Sequence, residues 1–241
     1  MPWRLWSVVW LCVMNNYKVV VLWDIDGTLL RTHGAGRRAF VAALRPWVGC
    51  VDVPHGRTWA GRTDASWVRL VARRCGVAPP PWPVFVRRYL RALRRELRQR
   101  PAEALPGASA LVDALRNQSG VYQALLTGNL RQAAALKLRS AGYAPEAFRS
   151  GAFGDRPFAR SALARRARAR IEARVHVRPE ARWIVVGDTP RDVAAARAIG
   201  AFSLAVATGG FRVDELRSAG ADLAVADLTA TSDLVEWMLG S

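Results

Sequence analysis

The 241-residue chain predicts a doubly wound α/β fold, a parallel sheet with helices on both faces, carrying an inserted α-helical cap. Two observations predict it. Three apolar runs of strand length, at 18–23, 122–126 and 183–186, each stop in a polar, glycine-containing turn, and each turn opens a helical pattern. About 90 residues separate the first two of these strands, far more than a simple crossover needs, so a second folded unit must sit between them.

The elements follow in order. The first strand ends in Asp24-Ile25-Asp26-Gly27-Thr28 and leads to a helix over 35–47. The second ends in Thr127-Gly128-Asn129 before a helix over 130–141. The third ends in Gly187-Asp188-Thr189-Pro190 before a helix over 191–199, where Pro190 suits a first helical turn. Shorter elements complete the plan: a strand at 148–153, a helix at 158–173, a strand at 202–206, a helix at 214–219, an edge strand at 223–226 and a terminal helix at 232–239. The insertion reads as helical, over 65–75 up to Gly76 and Pro79-Pro80-Pro81, then over 84–99 up to Pro101. In its second helix Val86, Tyr89, Leu90, Leu93 and Leu97 recur at helical spacing, while Arg87, Arg91, Arg94, Arg95 and Arg98 take the other faces. The expected division is an extension at 1–17, a core of 18–33 with 106–241, and a cap at 34–105.

Charge and composition narrow the function classes. The formal net charge is +17 from 36 basic and 19 acidic residues, and Lys18 and Lys137 are the only lysines. The arginines are spread along the chain and interleaved with alanine, which fits the coding bias of a GC-rich genome; a polyanion-binding face is the alternative. Cys12, Cys50 and Cys75 are odd in number and widely spaced, so neither a disulfide framework nor a zinc site is indicated, and a reducing cytoplasm fits. His33, His55 and His176 show no metal-ligand spacing. The apolar run at 8–14 is shorter than the roughly 20 residues that cross a bilayer. It also lacks an Ala-x-Ala cleavage site. Met14 is the expected natural start, because Asn15-Asn16-Tyr17 leads straight into the first strand.

In doubly wound sheets ligands bind outside the carboxyl ends of the strands, where Asp24, Asp26, Thr127 and Asp188 would gather. Asp24 and Asp26 at a strand end suit a cation, or a nucleophile with an acid/base partner. Thr127 offers a hydroxyl at a strand end, although Thr127-Gly128-Asn129 taken alone is a turn signal. Gly187-Asp188-Thr189-Pro190-Arg191-Asp192 sets one carboxylate at a strand end and another in the first helical turn, a pattern that also serves as helix capping. Trp23, beside Asp24, reads as a core aromatic.

Taken in order, these segments resemble the haloacid dehalogenase-like superfamily, whose first motif is Asp-x-Asp-Gly-Thr-Leu; the resemblance covers about residues 18–230. Its second motif looks like Thr127 and its fourth like Gly187-Asp188 to Asp192. Its third is normally a lysine, and none follows Lys137; Arg160 stands where some members place an arginine, with Arg156 as the alternative. The cap position resembles the helical-cap branch that includes phosphoglycolate phosphatase-like enzymes, and Gly61-Arg62-Thr63-Asp64 resembles a segment common there. Asp64 or Thr63 would cap the helix from Ala65, and Arg62 would face the substrate.

The resemblance implies a magnesium-dependent phosphatase acting on a small phosphorylated metabolite. Asp24 would be the nucleophile and Asp26 the acid/base, while Thr127, Gly128 and Asn129 hold phosphoryl oxygens and Arg160 neutralises charge. Mg²⁺ would be held by Asp24, Asp188 and the Asp26 carbonyl, with Asp192 in support. A phosphoglucomutase-like phosphotransferase, a haloacid dehalogenase and a basic nucleic-acid-binding or regulatory protein on the same scaffold remain alternatives. Deleting residues 1–13 is expected to leave the melting temperature and activity nearly unchanged; loss of soluble protein would reject Met14 as the start.

Overall fold

A computed structural model describes residues 16–49, 56–58 and 60–240. The extension before residue 16, with Cys12 and the expected start at Met14, lies outside the described residues, as do Cys50 and His55.

The sheet has six parallel strands: β1 (Tyr17–Trp23), β4 (Val121–Leu126), β5 (Ser150–Ala152), β6 (Val177–Gly187), β7 (Phe202–Val206) and β8 (Leu223–Val225), in the spatial order β5-β4-β1-β6-β7-β8. The first strand is therefore central, which is why it is apolar on both sides. Val19, Val21 and Trp23 join one apolar cluster and Val20 and Leu22 the other. The second cluster is closed by α6 (Arg160–Glu172) and α7 (Pro190–Arg197) through Leu163, Ala164, Ala167, Ala195 and Ala196. The first is closed by α4 (Ala108–Arg116), α5 (Arg131–Ser140) and α9 (Thr231–Leu239). The helix α8 (Val213–Ser218) covers the β7–β8 edge with Leu216.

Between β1 and β4 the chain leaves and returns through a two-stranded antiparallel pair, β2 (Leu30–Arg31) and β3 (Glu103–Ala104). Among the described residues three α-helices lie between them: α1 (Ala35–Val48), α2 (Asp64–Arg74) and α3 (Trp82–Gln99). Phe85, Tyr89, Leu90, Leu93 and Leu97 bury one face of α3, and Phe40 meets Phe85 and Tyr89 with ring centroids 5.3 and 5.9 Å apart. The five arginines on the other faces of α3 are exposed, as the periodicity predicts. The inserted helical cap is thus present, and its apolar interior belongs to the same cluster as one face of the sheet. Neither the two-residue strands β2 and β3 nor helix α4 is among the elements the sequence predicts.

Register matters most for function. Trp23 pairs with Leu125 on one side and Val186 on the other, so the carboxyl ends of β1, β4 and β6 are level and the residues after them emerge side by side. Trp23 itself is fully buried and donates from Nε1 to Gln123 Oε1 at 3.0 Å, while Gln123 Nε2 donates to Val112 O at 3.0 Å. One buried amide thereby ties β1, β4 and α4 together. Gln123→Leu keeps the size but orphans the Trp23 N–H and the Val112 carbonyl; a loss of about 2 kcal/mol is expected in urea unfolding.

Candidate active site

Asp24 is the residue after β1, and its amide still donates to Val186 O at 2.9 Å. Asp188 follows β6, and Asp192 lies in the first turn of α7, where its carboxylate accepts from Thr189 N and Thr189 Oγ1 in a capping box. Carboxylate oxygens of Asp24, Asp188 and Asp192 lie within 4.8 Å of one another, all three residues buried. Gly27 and Gly209 make room for this cluster, because a Cβ on either would collide with the Asp188 carboxylate; Gly27 also sits at φ +82°, the left-handed region that favours glycine.

Three acids in one dry volume need positive charge. Arg160, the first residue of α6, supplies it: Nε donates to Asp192 Oδ1 at 2.8 Å, and Nη2 lies 2.6 Å from the same oxygen and 2.9 Å from Asp24 Oδ1. The Nη2 approaches are charge contacts directed off the N–H bonds, whereas the Nε bond is a true hydrogen bond. Burial alone would lower the Arg160 pKa, but the charges of Asp192 and Asp24 outweigh it and hold the guanidinium firmly protonated. Burial pushes the Asp24 carboxyl up to about 6 against the lowering pull of Arg160. Burial, with the nearby charges of Asp24 and Asp192, drives Asp188 well above the usual carboxylate range. Arg156, the alternative for the third motif, is exposed and lines a separate cleft with Phe153 and Phe158.

These acids fit a divalent cation. Asp188 Oδ1 is buried with no hydrogen-bond partner, beside Asp24, and both carboxyls are held above their ordinary range first of all by burial. Asp192 spends its oxygens on Arg160 and Thr189, which suits support better than ligation. Hard carboxylate oxygens of this kind match Mg²⁺.

A second cluster faces the first. Thr127, fully buried after β4, accepts from Asn129 N at 3.2 Å and Asn129 Nδ2 at 2.9 Å. Asn129 Nδ2 also donates to Asp26 Oδ2 at 2.6 Å. The unforeseen member is Lys137, on the buried face of α5, whose Nζ donates at 2.6 Å to both Asp26 Oδ2 and Asn129 Oδ1. Its signal was available: one of two lysines among 36 basic residues, set between Ala133, Ala134 and Leu138 on an otherwise apolar stripe.

The cap closes over both clusters. Thr63 caps α2 by accepting from Ser66 N, whereas Asp64 reaches across the seam and accepts from Leu130 N at 2.9 Å; its own amide donates to Gly128 O at 2.7 Å. Gly128 is needed because any Cβ would strike the Arg62 carbonyl. The exposed Arg62 guanidinium sits 5.5 Å over the Trp67 ring and lines the cleft of about 300 Å³ shared by Asp24, Asp26, Thr127, Lys137, Arg160 and Asp188. Of the histidines, His33 lies 2.9 Å from Glu103 and His176 is exposed, both outside the acid cluster.

A sequence model of the haloacid dehalogenase-like hydrolases matches residues 21–197, and the chain belongs to that family. No curated protein matches it. Among solved structures it is similar to CbbY from Rhodobacter sphaeroides in complex with phosphate, at 22% identity and TM-score 0.69 over 87% of this chain and 94% of that one. A hydrolase from Pseudomonas syringae aligns at 20% identity and TM-score 0.67 over 91% and 98%. A predicted phosphatase from Clostridium acetobutylicum aligns at 17% identity and TM-score 0.66 over 92% and 100%. These likenesses concern the fold.

Asp64 yields a pH test. Burial pushes its carboxyl up to about 7 from an ordinary value of 3.8, so the folded protein holds more protons than the unfolded chain between those limits. Its contribution to stability is therefore fullest at the acid end and declines as pH rises from about 4 to about 7. Asp64→Asn keeps an acceptor for Leu130 N without the charge. Its melting temperature should gain on the wild type through that window and level off above it.

Proposed function

We propose that the protein is a magnesium-dependent phosphatase that hydrolyses a small phosphorylated metabolite through an aspartyl-phosphate intermediate. The observation that carries this is the convergence, in one cleft of about 300 Å³, of a buried carboxylate at the end of β1, an arginine neutralising it, and a hydroxyl–amide cluster at the end of β4. A cleft of that size suits a small ligand, not a nucleic-acid strand. The division into a core of 18–33 with 106–241 and a cap of 34–105 goes with this reading and is supported by the β2–β3 pair at the crossing. So does a cytoplasmic setting, supported by a free Cys75; no helix among the described residues is long and apolar enough to cross a membrane.

In this reading an Asp24 carboxylate oxygen attacks phosphorus and the bond to the ester oxygen breaks. Asp26 gives its proton to the departing alkoxide. Asp26 then takes a proton from water as that water attacks the same phosphorus, which frees Asp24 and inorganic phosphate. Thr127 accepts two N–H bonds from Asn129, so its own O–H remains to donate to a phosphoryl oxygen, beside the Gly128 amide. Arg160 holds Asp24 in place and offsets its charge. Arg62, across the seam, meets the remote part of the substrate. Mg²⁺, held by the Asp24 and Asp188 carboxylates and the Asp26 carbonyl with Asp192 in support, would supply charge neutralisation for the phosphoryl group.

Asp24→Asn is expected to drop turnover of small phosphoesters to background. Asp26→Asn should lose about 10²- to 10⁴-fold on an alkyl phosphate, and distinctly less on p-nitrophenyl phosphate, whose leaving group needs little protonation. EDTA should abolish wild-type activity and Mg²⁺ restore it. Turnover of 2-haloacids in EDTA, or full activity of Asp26→Asn on an alkyl phosphate, would overturn the reading.

A further inference from the structure

Lys137 is a buried charged group of the cleft that the reading above leaves without a task. Its side chain is 5% exposed, while the Asp26 side chain it meets is 41% exposed and lines the cleft. Burying an ammonium is costly unless it is paired and hydrogen-bonded, and packing α5 against the core would be served as well by leucine or methionine. The chain supplies nearly every other cation as arginine. Here the space suits the smaller head: helix α1 passes so close that a Cβ on Gly36 would sit 3.1 Å from Lys137 Nζ.

The hydrogen bonds form a closed set. Lys137 Nζ and Asn129 Nδ2 both donate to Asp26 Oδ2, Lys137 also donates to Asn129 Oδ1, and Asn129 Nδ2 reaches Thr127 Oγ1. Both donors to Asp26 fall on the same oxygen. Ammonium offers only donors, so Oδ2 is engaged as an acceptor from two sides and a proton on this carboxyl belongs on Oδ1.

We propose that Lys137 is a positioning residue for Asp26. It pins Oδ2 so that Oδ1 carries and delivers the proton, and it locks that orientation to the Thr127–Asn129 cluster expected to hold the phosphoryl group. The proposal rests on the phosphatase reading and on Asp26 as its acid/base. It assigns α5 a part in proton delivery, and it makes Gly36 of α1 the residue that reserves the space.

The test is the dependence on leaving group. Lys137→Met should lower kcat/KM on an alkyl phosphate by about 10²-fold, the lower end of what a general acid contributes, and lower it on p-nitrophenyl phosphate by less than about fivefold. Combined with Asp26→Asn it should add almost nothing, because both changes disable one act. Equal losses on the two substrates, or losses that multiply with Asp26→Asn, would overturn the proposal while the phosphatase reading stands. If Asp26→Asn itself fails to distinguish the substrates, the phosphatase reading and this proposal fall together. Gly36→Ala keeps the lysine and crowds its ammonium; the same bias toward the activated ester, at a few-fold, is expected there, and equal effects on both esters would count against the proposal even if Lys137→Met does not fold.

Discussion

The buried Arg160 is the constraint on which the rest of the site depends. Removing three carboxylates from water at the ends of two neighbouring strands is unfavourable unless charge is supplied inside the same volume. Arg160 supplies it from the first residue of α6, bridging Asp24 at the end of β1 and Asp192 of α7. The link therefore joins three elements from distant parts of the chain and does so at the point where the sheet delivers its reactive ends. It is also incomplete: burial raises the proton affinity of Asp24 against the pull of Arg160, and burial with the neighbouring charges of Asp24 and Asp192 raises that of Asp188. Stability alone would favour fewer acids; the surplus of negative charge is what suits the cluster to a metal.

Helix capping and the acid cluster share residues here. Thr189 and Asp192 close the first turn of α7 as a capping box, and Asp192 in doing so is fixed for Arg160. Capping and the fourth-motif reading of that segment are thus two sides of one arrangement. Asp64 divides differently. Thr63 takes the capping duty, which frees the Asp64 carboxylate to fasten the cap to the Leu130 amide just before α5.

Most of the sheet is legible because its central strands are buried on both faces and so read as unbroken apolar runs, 19–23 and 183–186 among them, with abrupt polar ends. Those ends, Asp24, Thr127 and Asp188, lie at the cleft because the register levels β1, β4 and β6. Elements whose identity is set by partners were not legible. Leu30–Arg31 and Glu103–Ala104 are too short to show a period and exist as strands only by pairing across the cap. Lys137 is not legible as a site residue because the third motif places its lysine downstream, whereas α5 turns this one inward from upstream. Asp64 looked like an ordinary helix start, since a local pattern does not show which amide across a seam a carboxylate will meet.

The shared apolar interior of cap and sheet has a consequence for how the molecule comes apart. Phe40, Trp67, Phe85 and Tyr89 belong to the same buried cluster as Val21 and Trp23, so neither part owns a hydrophobic core that ends at its boundary. A cap lifting as a rigid shell would wet that common interior. At one margin the seam is polar, where Asp64 meets Gly128 and Leu130 and the Ala65 amide meets the Gly154 carbonyl, so a local opening there would part a few hydrogen bonds and leave the common interior dry. Heat would act on the whole: with one core in common, the two parts are expected to melt as a single cooperative unit.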